Sequence, residues 1–262
     1  MTAAKSFRER LTARDPLLGV WMKTPSPIVA DVFGRTPLDC VCLDAEHAPF
    51  DRMAIDGCVA SLRASGMAAL VRPQSATPEH LQSALDCGAI GIVAPHIRSG
   101  AEAESLSRAC RFGPGGRGFA GSTRAAGYGG LTIASALADA AQSTCVIAQI
   151  EDVEAVDAID EIARVEGVDC LFVGRIDLTV GLGATSPDEK IVVDAVAAIC
   201  AAGKKHGRAT GMFVSNLSEI EAWRKAGASL FILKSDHAFI VEGATALRAT
   251  FDAATDAVSG AI

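Results

Sequence analysis

Aromatic side chains make up only 5% of this 262-residue chain, so its core must be built from Ala, Val, Leu and Ile. Excess positive charge is missing as well: 24 Lys and Arg stand against 31 Asp and Glu, a formal net charge of −7. No basic patch interrupts that balance, which argues against a nucleic-acid partner, because a phosphate backbone wants a basic face. No apolar run approaches the ~20 residues of a membrane span, and the opening MTAAKSFRERLTARD holds no apolar stretch of signal-peptide length. The chain is expected to be soluble and cytoplasmic, with no membrane partner. A CxxC pair is absent too. The eight cysteines (Cys40, Cys42, Cys58, Cys87, Cys110, Cys145, Cys170 and Cys200) mostly fall inside apolar runs and read as buried free thiols in a reducing compartment.

What is present is alternation. Short apolar runs read as strands at about 17–21, 40–44, 69–72, 91–95, 145–150, 170–173, 211–214 and 230–233. Amphipathic stretches lie between them: one capped by Asp51 with Ile55, Val59 and Leu62 on one face, and others near 78–87, 102–110, 153–165, 191–206 and 217–225. Glycine marks the return to the next strand in CGAIGIV, EGVDCLFV and AGASLFIL. Eight strands with a helix after nearly every one predict a single (β/α)8 barrel over residues 1–262. A doubly wound open sheet is the competing architecture. It is usually announced by GxGxxG after the first strand, where this chain has WMKTPSP. The irregular stretch RFGPGGRGFAGSTRAAGYGG (111–130) reads as a mobile loop over the barrel mouth, with Arg117 and Arg124 available to an anion. Its glycines could instead cradle phosphate, but no lysine signature follows them.

In a barrel, functional side chains project from the C-terminal strand ends. Polar residues collect there: Asp44, Glu46 and His47 after the second strand, Arg72 after the third, Gln149 and Glu151 at the fifth, Asp177 after the sixth, and Lys234 to His237 after the eighth. Glu151 and Asp177 follow neighbouring strands, which lie ~4.8 Å apart. Carboxylates that close repel unless a cation or a shared proton intervenes, and an all-oxygen pair suits a hard ion such as Mg²⁺ or Mn²⁺. The alternative is that each merely caps its following helix. Arg72 offers a fork for a substrate carboxylate, or a salt bridge to Asp44 or Glu46. His47 is either structural or a base near neutral pH, oriented by Asp44 or by Asp86 from the helix after the third strand.

The blocks DAEHAPFD, LVRP, LDCGAIGIVAPHI, GPGGRGFAGSTRA, AQIED, VEGVDCLFVGRIDLTVGLG and KSD resemble, in order from about Gly19 to Asp236, the HpcH/HpaI family of metal-dependent pyruvate aldolases. The resemblance implies a (β/α)8 barrel, commonly hexameric, that cleaves or forms 4-hydroxy-2-oxo acids. Small-molecule partners would be a 2-oxo acid and an aldehyde. The cofactor would be a divalent ion (Mg²⁺, Mn²⁺ or Co²⁺) held by Glu151 and Asp177, which stabilises the pyruvate enolate. By the same resemblance, His47 is the base in a dyad with Asp44, and Arg72 holds the pyruvyl oxygen. Gln149, with the backbone around Gly174 and Ile176, completes the pocket. Arg175 stands where the family often has proline, which predicts an extra charge on the pocket floor. His96 stands where an apolar residue is usual, and Lys234 and His237 are also unusual for the closing segment. Lys234 keeps a Schiff-base route open. Two other functions remain: an acyl-coenzyme A lyase on the same barrel, drawing on Arg117, Arg124 and Arg175 for the nucleotide, and a non-catalytic oxo-acid binder that needs Arg72 but not His47.

Overall fold

The computed structural model describes residues 5–259; residues 1–4 and 260–262 of the expected domain lie outside that range. Ser6 and Glu9 cap each other's backbone and start α1 (Phe7–Thr12). The chain then alternates: β1 (Leu17–Met22), α2 (Pro27–Phe33), β2 (Cys40–Asp44), α3 (Arg52–Ala64), β3 (Ala68–Arg72), α4 (Pro78–Asp86), β4 (Gly91–Ala94) and α5 (Gly100–Ala109). After residues 110–132 come α6 (Ile133–Ser143), β5 (Cys145–Ile150), α7 (Val153–Asp157), α8 (Ile159–Arg164) and β6 (Cys170–Val173). The last third holds α9 (Arg175–Gly181), α10 (Lys190–His206), β7 (Ala209–Met212), α11 (Ile220–Ala226), β8 (Ala228–Ser235) and α12 (Asp236–Ser259). The strands pair in sequence order, all parallel, and β8 closes on β1. The open-sheet alternative is excluded, and the fold is the expected (β/α)8 barrel.

Strand alternation sorts the apolar residues into two cores. Cys40, Cys42, Leu70, Ile147, Cys170, Phe172 and Ile232 face into the barrel. Val41, Leu43, Val71, Val146, Leu171 and Phe231 face out against the helices. With so few aromatics, the interior rests on one edge-to-face pair, Trp21 and Phe172, whose ring centres lie 5.8 Å apart. All eight cysteines are free and buried, and burial pushes the thiols of Cys58 and Cys200 up to about 11. They pack as small apolar groups.

Several expectations shift. The seventh strand begins at Ala209 and ends at Met212, where its pairing with β6 stops at Val173. The single helix expected over 153–165 is two, broken at Ala158 (φ −92°, ψ 9°), which lets Ala155, Ile159 and Ile162 all reach the outer core. WMKTPSP leads directly into α2, with Pro27 at its first turn, a signal present in the sequence as Ser26-Pro27. The glycine-rich segment 111–130 does not cover the mouth. It follows α5, which descends from β4, so it lies at the opposite end of the barrel. There the Ala125 N–H donates to the carbonyl of Asp86, and the segment borders Gly88, Ile90 and Thr144 at the starts of β4 and β5.

Candidate active site

The pairing register places Asp44 and Arg72 side by side as the last residues of β2 and β3. Asp44 is fully buried, and its Oδ1 accepts from Arg72 Nε at 3.0 Å and lies 2.8 Å from Nη2. The remaining guanidinium nitrogen lies 3.3 Å from Glu46 Oε2, and the whole group stacks 4.4 Å above the Trp21 ring. Both readings of Arg72 therefore meet in one residue: it is salt-bridged to Asp44 and Glu46, and it lines the cleft.

Asp44 does not touch the His47 ring. It accepts the backbone N–H of His47 at 3.2 Å, and its Oδ2 lies 3.3 Å from Lys23 Nζ. The expected dyad is thereby corrected: three cationic or N–H partners already claim Asp44, and Glu46 faces the imidazole instead, 3.6 Å from Nε2. Burial pushes the Glu46 carboxyl up, the Arg72 guanidinium pulls it back, and the neighbouring Glu151 charge raises it again. Asp86 is not brought to this end at all. It ends α4, five residues before β4 begins at the foot of the barrel, and faces the buried Arg117.

Glu151 follows β5 and is almost completely buried. Its Oε1 accepts the His96 N–H at 2.9 Å, and its Oε2 accepts from the Gln149 side-chain amide. The other end of that amide, Gln149 Oε1, is buried with no hydrogen-bond partner. Gly174 makes this packing possible: a Cβ there would stand 2.5 Å from Glu151 Cβ. Asp177 is exposed in the first turn of α9 and lines the same cleft with Ile176 and Gly174.

The cleft holds about 460 Å³ and is bordered by Trp21, Lys23, His47, Arg72, Gln149 and Asp177, among others. A larger hollow of about 800 Å³ lies between α5 and α8, but its borders mix Glu104 and Glu161 with Arg108 and Arg164, and no candidate residue reaches it. Arg175 adds no free charge to the cleft, contrary to expectation. Its guanidinium is engaged by Glu219, Asp188 and the carbonyl of Pro187. Arg124 pairs with Asp56, and Arg117 stacks on Phe112 at the barrel foot. None of the three arginines is thus free at the mouth to receive a nucleotide.

Three residues were missed as site members. Lys23, the polar residue that directly follows β1, was legible as another strand-end group. Glu46 lay within the DAEH stretch. His96 stood out by type, and the structure puts it in a group able to hold a cation: ligand atoms of Glu46, His96 and Glu151 all lie within 4.8 Å of one another. Lys234 has a left-handed backbone (φ 56°) and pairs with Glu242 at 2.5 Å, while His237 Nε2 lies 3.1 Å from the Thr24 hydroxyl.

A family model described as HpcH/HpaI aldolase/citrate lyase matches residues 17–241. A hydroxypyruvate/pyruvate aldolase of Paraburkholderia phytofirmans is 32% identical over 243 residues, covering 90% of this chain and 93% of that protein. A 5-keto-4-deoxy-D-glucarate aldolase of Shigella boydii is 31% identical over 235 residues, covering 88% and 90%. The crystal structure of an HpcH/HpaI aldolase/citrate lyase family protein from Burkholderia cenocepacia superimposes with a TM-score of 0.85 at 32% identity, over 95% of this chain and 98% of that one.

Proposed function

The chain belongs to the HpcH/HpaI aldolase/citrate lyase family, and from that premise we propose that it is a divalent-metal-dependent aldolase. It would reversibly cleave a 4-hydroxy-2-oxo acid to pyruvate, or a related 2-oxo acid, and an aldehyde. The observation that carries this reading is the meeting of Arg72, Gln149, His47 and Asp177 in one cleft, with the buried Glu151 bonded to Gln149.

Glu151 and Asp177 would hold the ion. The donors present fit one: Glu151 is a buried carboxylate beside a second acid, Glu46, and Gln149 Oε1 is buried without a donor. Oxygen donors of this kind suit Mg²⁺, Mn²⁺ or Co²⁺. When bound, such an ion supplies a Lewis acid that polarises the keto group of the 2-oxo acid.

Arg72, held rigid by Asp44, Glu46 and Trp21, donates toward the pyruvyl oxygen and offsets the negative charge that gathers there as the C3–C4 bond breaks. His47, whose ring stands beside Glu46, would take the proton of the C4 hydroxyl. The C3–C4 electron pair passes into the pyruvyl unit, the aldehyde leaves, and the proton on His47 returns to C3. Lys23 and Lys234 border the same cleft, each paired with an acid, Asp44 and Glu242. Assembly into a homo-oligomer, a hexamer by the family resemblance, would cover apolar side chains that α12 exposes, such as Phe239, Val241 and Phe251.

The test is pyruvate release from a series of 4-hydroxy-2-oxo acids, with and without chelator. Activity is expected to vanish with chelator and to return with Mg²⁺, Mn²⁺ or Co²⁺. Full activity in metal-free protein would overturn the reading and direct borohydride trapping at Lys234.

A further inference from the structure

His96 is placed by a backbone that few residues adopt. It follows β4 with φ at 55°, in the left-handed region, and it is held there by two bonds: its own N–H donates to Glu151 Oε1 at 2.9 Å, and the next N–H, of Ile97, donates to the Gln149 carbonyl at 3.3 Å. A side chain in that conformation carries a conformational cost that persists only where the surroundings impose it, and such residues gather at functional sites. The imidazole it presents is surrounded by acids. Nδ1 lies 3.0 Å from Asp152 Oδ2 and 3.4 Å from Glu151 Oε1, while Nε2 lies 3.5 Å from Glu46 Oε1. Glu46 Oε2 is buried and receives no hydrogen bond, and its nearest cation, Arg72, is already shared with Asp44.

We propose that Glu46, His96 and Glu151 form a second cation position, on the β4 side of Glu151, that takes a borderline transition ion such as Zn²⁺ through an imidazole nitrogen. Ligand atoms about 2.0–2.2 Å from a tetrahedral ion stand roughly 3.3–3.6 Å apart. The His96–Glu46 separation of 3.5 Å already has that spacing. Asp152 completes the arrangement. A carboxylate on Nδ1 fixes the tautomer, turns the ring and leaves Nε2 as the ligand atom. A nitrogen ligand favours Zn²⁺, Co²⁺ or Ni²⁺ over Mg²⁺, which prefers oxygen. The half-exposed ring leaves the position open from solvent. The position shares Glu151 with the proposed aldolase centre but excludes Asp177, so it is tested by binding rather than by turnover.

The experiment is calorimetric titration of Zn²⁺ and of Mg²⁺ into the full-length, chelator-stripped protein and two variants. His96→Asn is chosen because asparagine tolerates the left-handed backbone and so preserves the fold. It is expected to weaken one equivalent of Zn²⁺ binding at least tenfold while Mg²⁺ affinity stays within twofold. Asp177→Asn is expected to retain the His96-dependent Zn²⁺ step. Asp152→Asn should weaken that step on the order of tenfold, as loss of an orienting carboxylate does. Equal Zn²⁺ affinity in the parent and His96→Asn would overturn the proposal and make His96 a counter-ion of the acids. Loss of the step in Asp177→Asn would overturn it as well, by placing the ion on the β6 side. A protein that binds Zn²⁺ as expected but releases no pyruvate from any 2-oxo acid refutes the aldolase reading alone.

Discussion

At the scale of single residues, partner choice decides what each acid does. Asp44 has Arg72 and Lys23 on its carboxylate and only the main chain of His47, so its energetic coupling runs to Arg72. Arg72→Lys keeps a charge but loses the planar fork that reaches Asp44 and Glu46 together. We expect it to lower kcat/KM on the order of 100-fold with folding intact by circular dichroism. Adding Asp44→Asn to Arg72→Lys should cost little more, because both disturb one unit. Adding Asp44→Asn to His47→Ala should multiply the two losses, since the carboxylate does not meet the ring. Steady-state kinetics of these variants decide it; strong non-additivity between Asp44 and His47 would restore the dyad that the sequence suggested. Nothing in the spacing of Asp44 and His47 distinguishes a bond to the ring from a bond to the backbone. That distinction needs the position of Arg72, 28 residues further on.

Among the elements, α12 is tied to the mouth of the barrel by its first residue. Asp236 accepts the backbone N–H groups of Lys23 at 2.9 Å and Thr24 at 2.8 Å, which joins the end of β8 to the loop after β1. Burial works to raise this carboxyl, but the bonds from Thr24 and Lys23 outweigh it and hold it below the usual aspartate range. A carboxyl lowered in the folded state stabilises the fold above its unfolded value, ~3.9, and loses that contribution as pH falls through the lowered value. Asp236→Asn should therefore cost about 2 kcal/mol at pH 7, read as a lower urea midpoint, and the gap should shrink on acidification toward pH 3. A gap that stays constant over that range would show that the charge of Asp236 contributes nothing. The helices themselves were legible where cap and periodicity agreed: Asp51 caps α3 as expected, accepting the Ala54 N–H at 2.8 Å. The break at Ala158 was not, because both halves keep helical spacing and only the outer core requires the change of direction.

For the whole molecule, the two ends of the barrel separate chemistry from stability. The mouth gathers Arg72, His47, Gln149 and Asp177; the foot gathers Asp169, which is buried and accepts from Arg8 at 2.7 Å, Arg111 at 3.2 Å and the Val146 N–H at 2.8 Å. Arg8 belongs to α1, whose Leu11 packs into the barrel interior, so this cluster closes the bottom. Asp169→Leu strands two guanidinium groups and one N–H and should lower stability by about 3 kcal/mol. The KM for the oxo acid should stay as in the parent, because the change lies a full strand length from the cleft. A raised KM at unchanged stability would mean that foot and mouth are coupled. Among the described residues, no helix is long and apolar enough to cross a membrane.

The sequence by itself determined the barrel, the order of its strands and the rim on which the polar residues stand. Those follow from local alternation, and buried parallel strands are continuous apolar runs whose ends are visible in the chain. Set beside the family it resembles, it also marked His96 and Lys234 as departures. Only the tertiary structure decided that Asp86 and the segment 111–130 lie at the foot, that Arg175 is sealed by Glu219 and Asp188, and that Glu46 rather than Asp44 faces the imidazole. The physical reason is range. Periodicity records burial over a few neighbours, whereas a hydrogen bond or ion pair is settled within about 4 Å between residues that the fold brings together from distant positions in the chain.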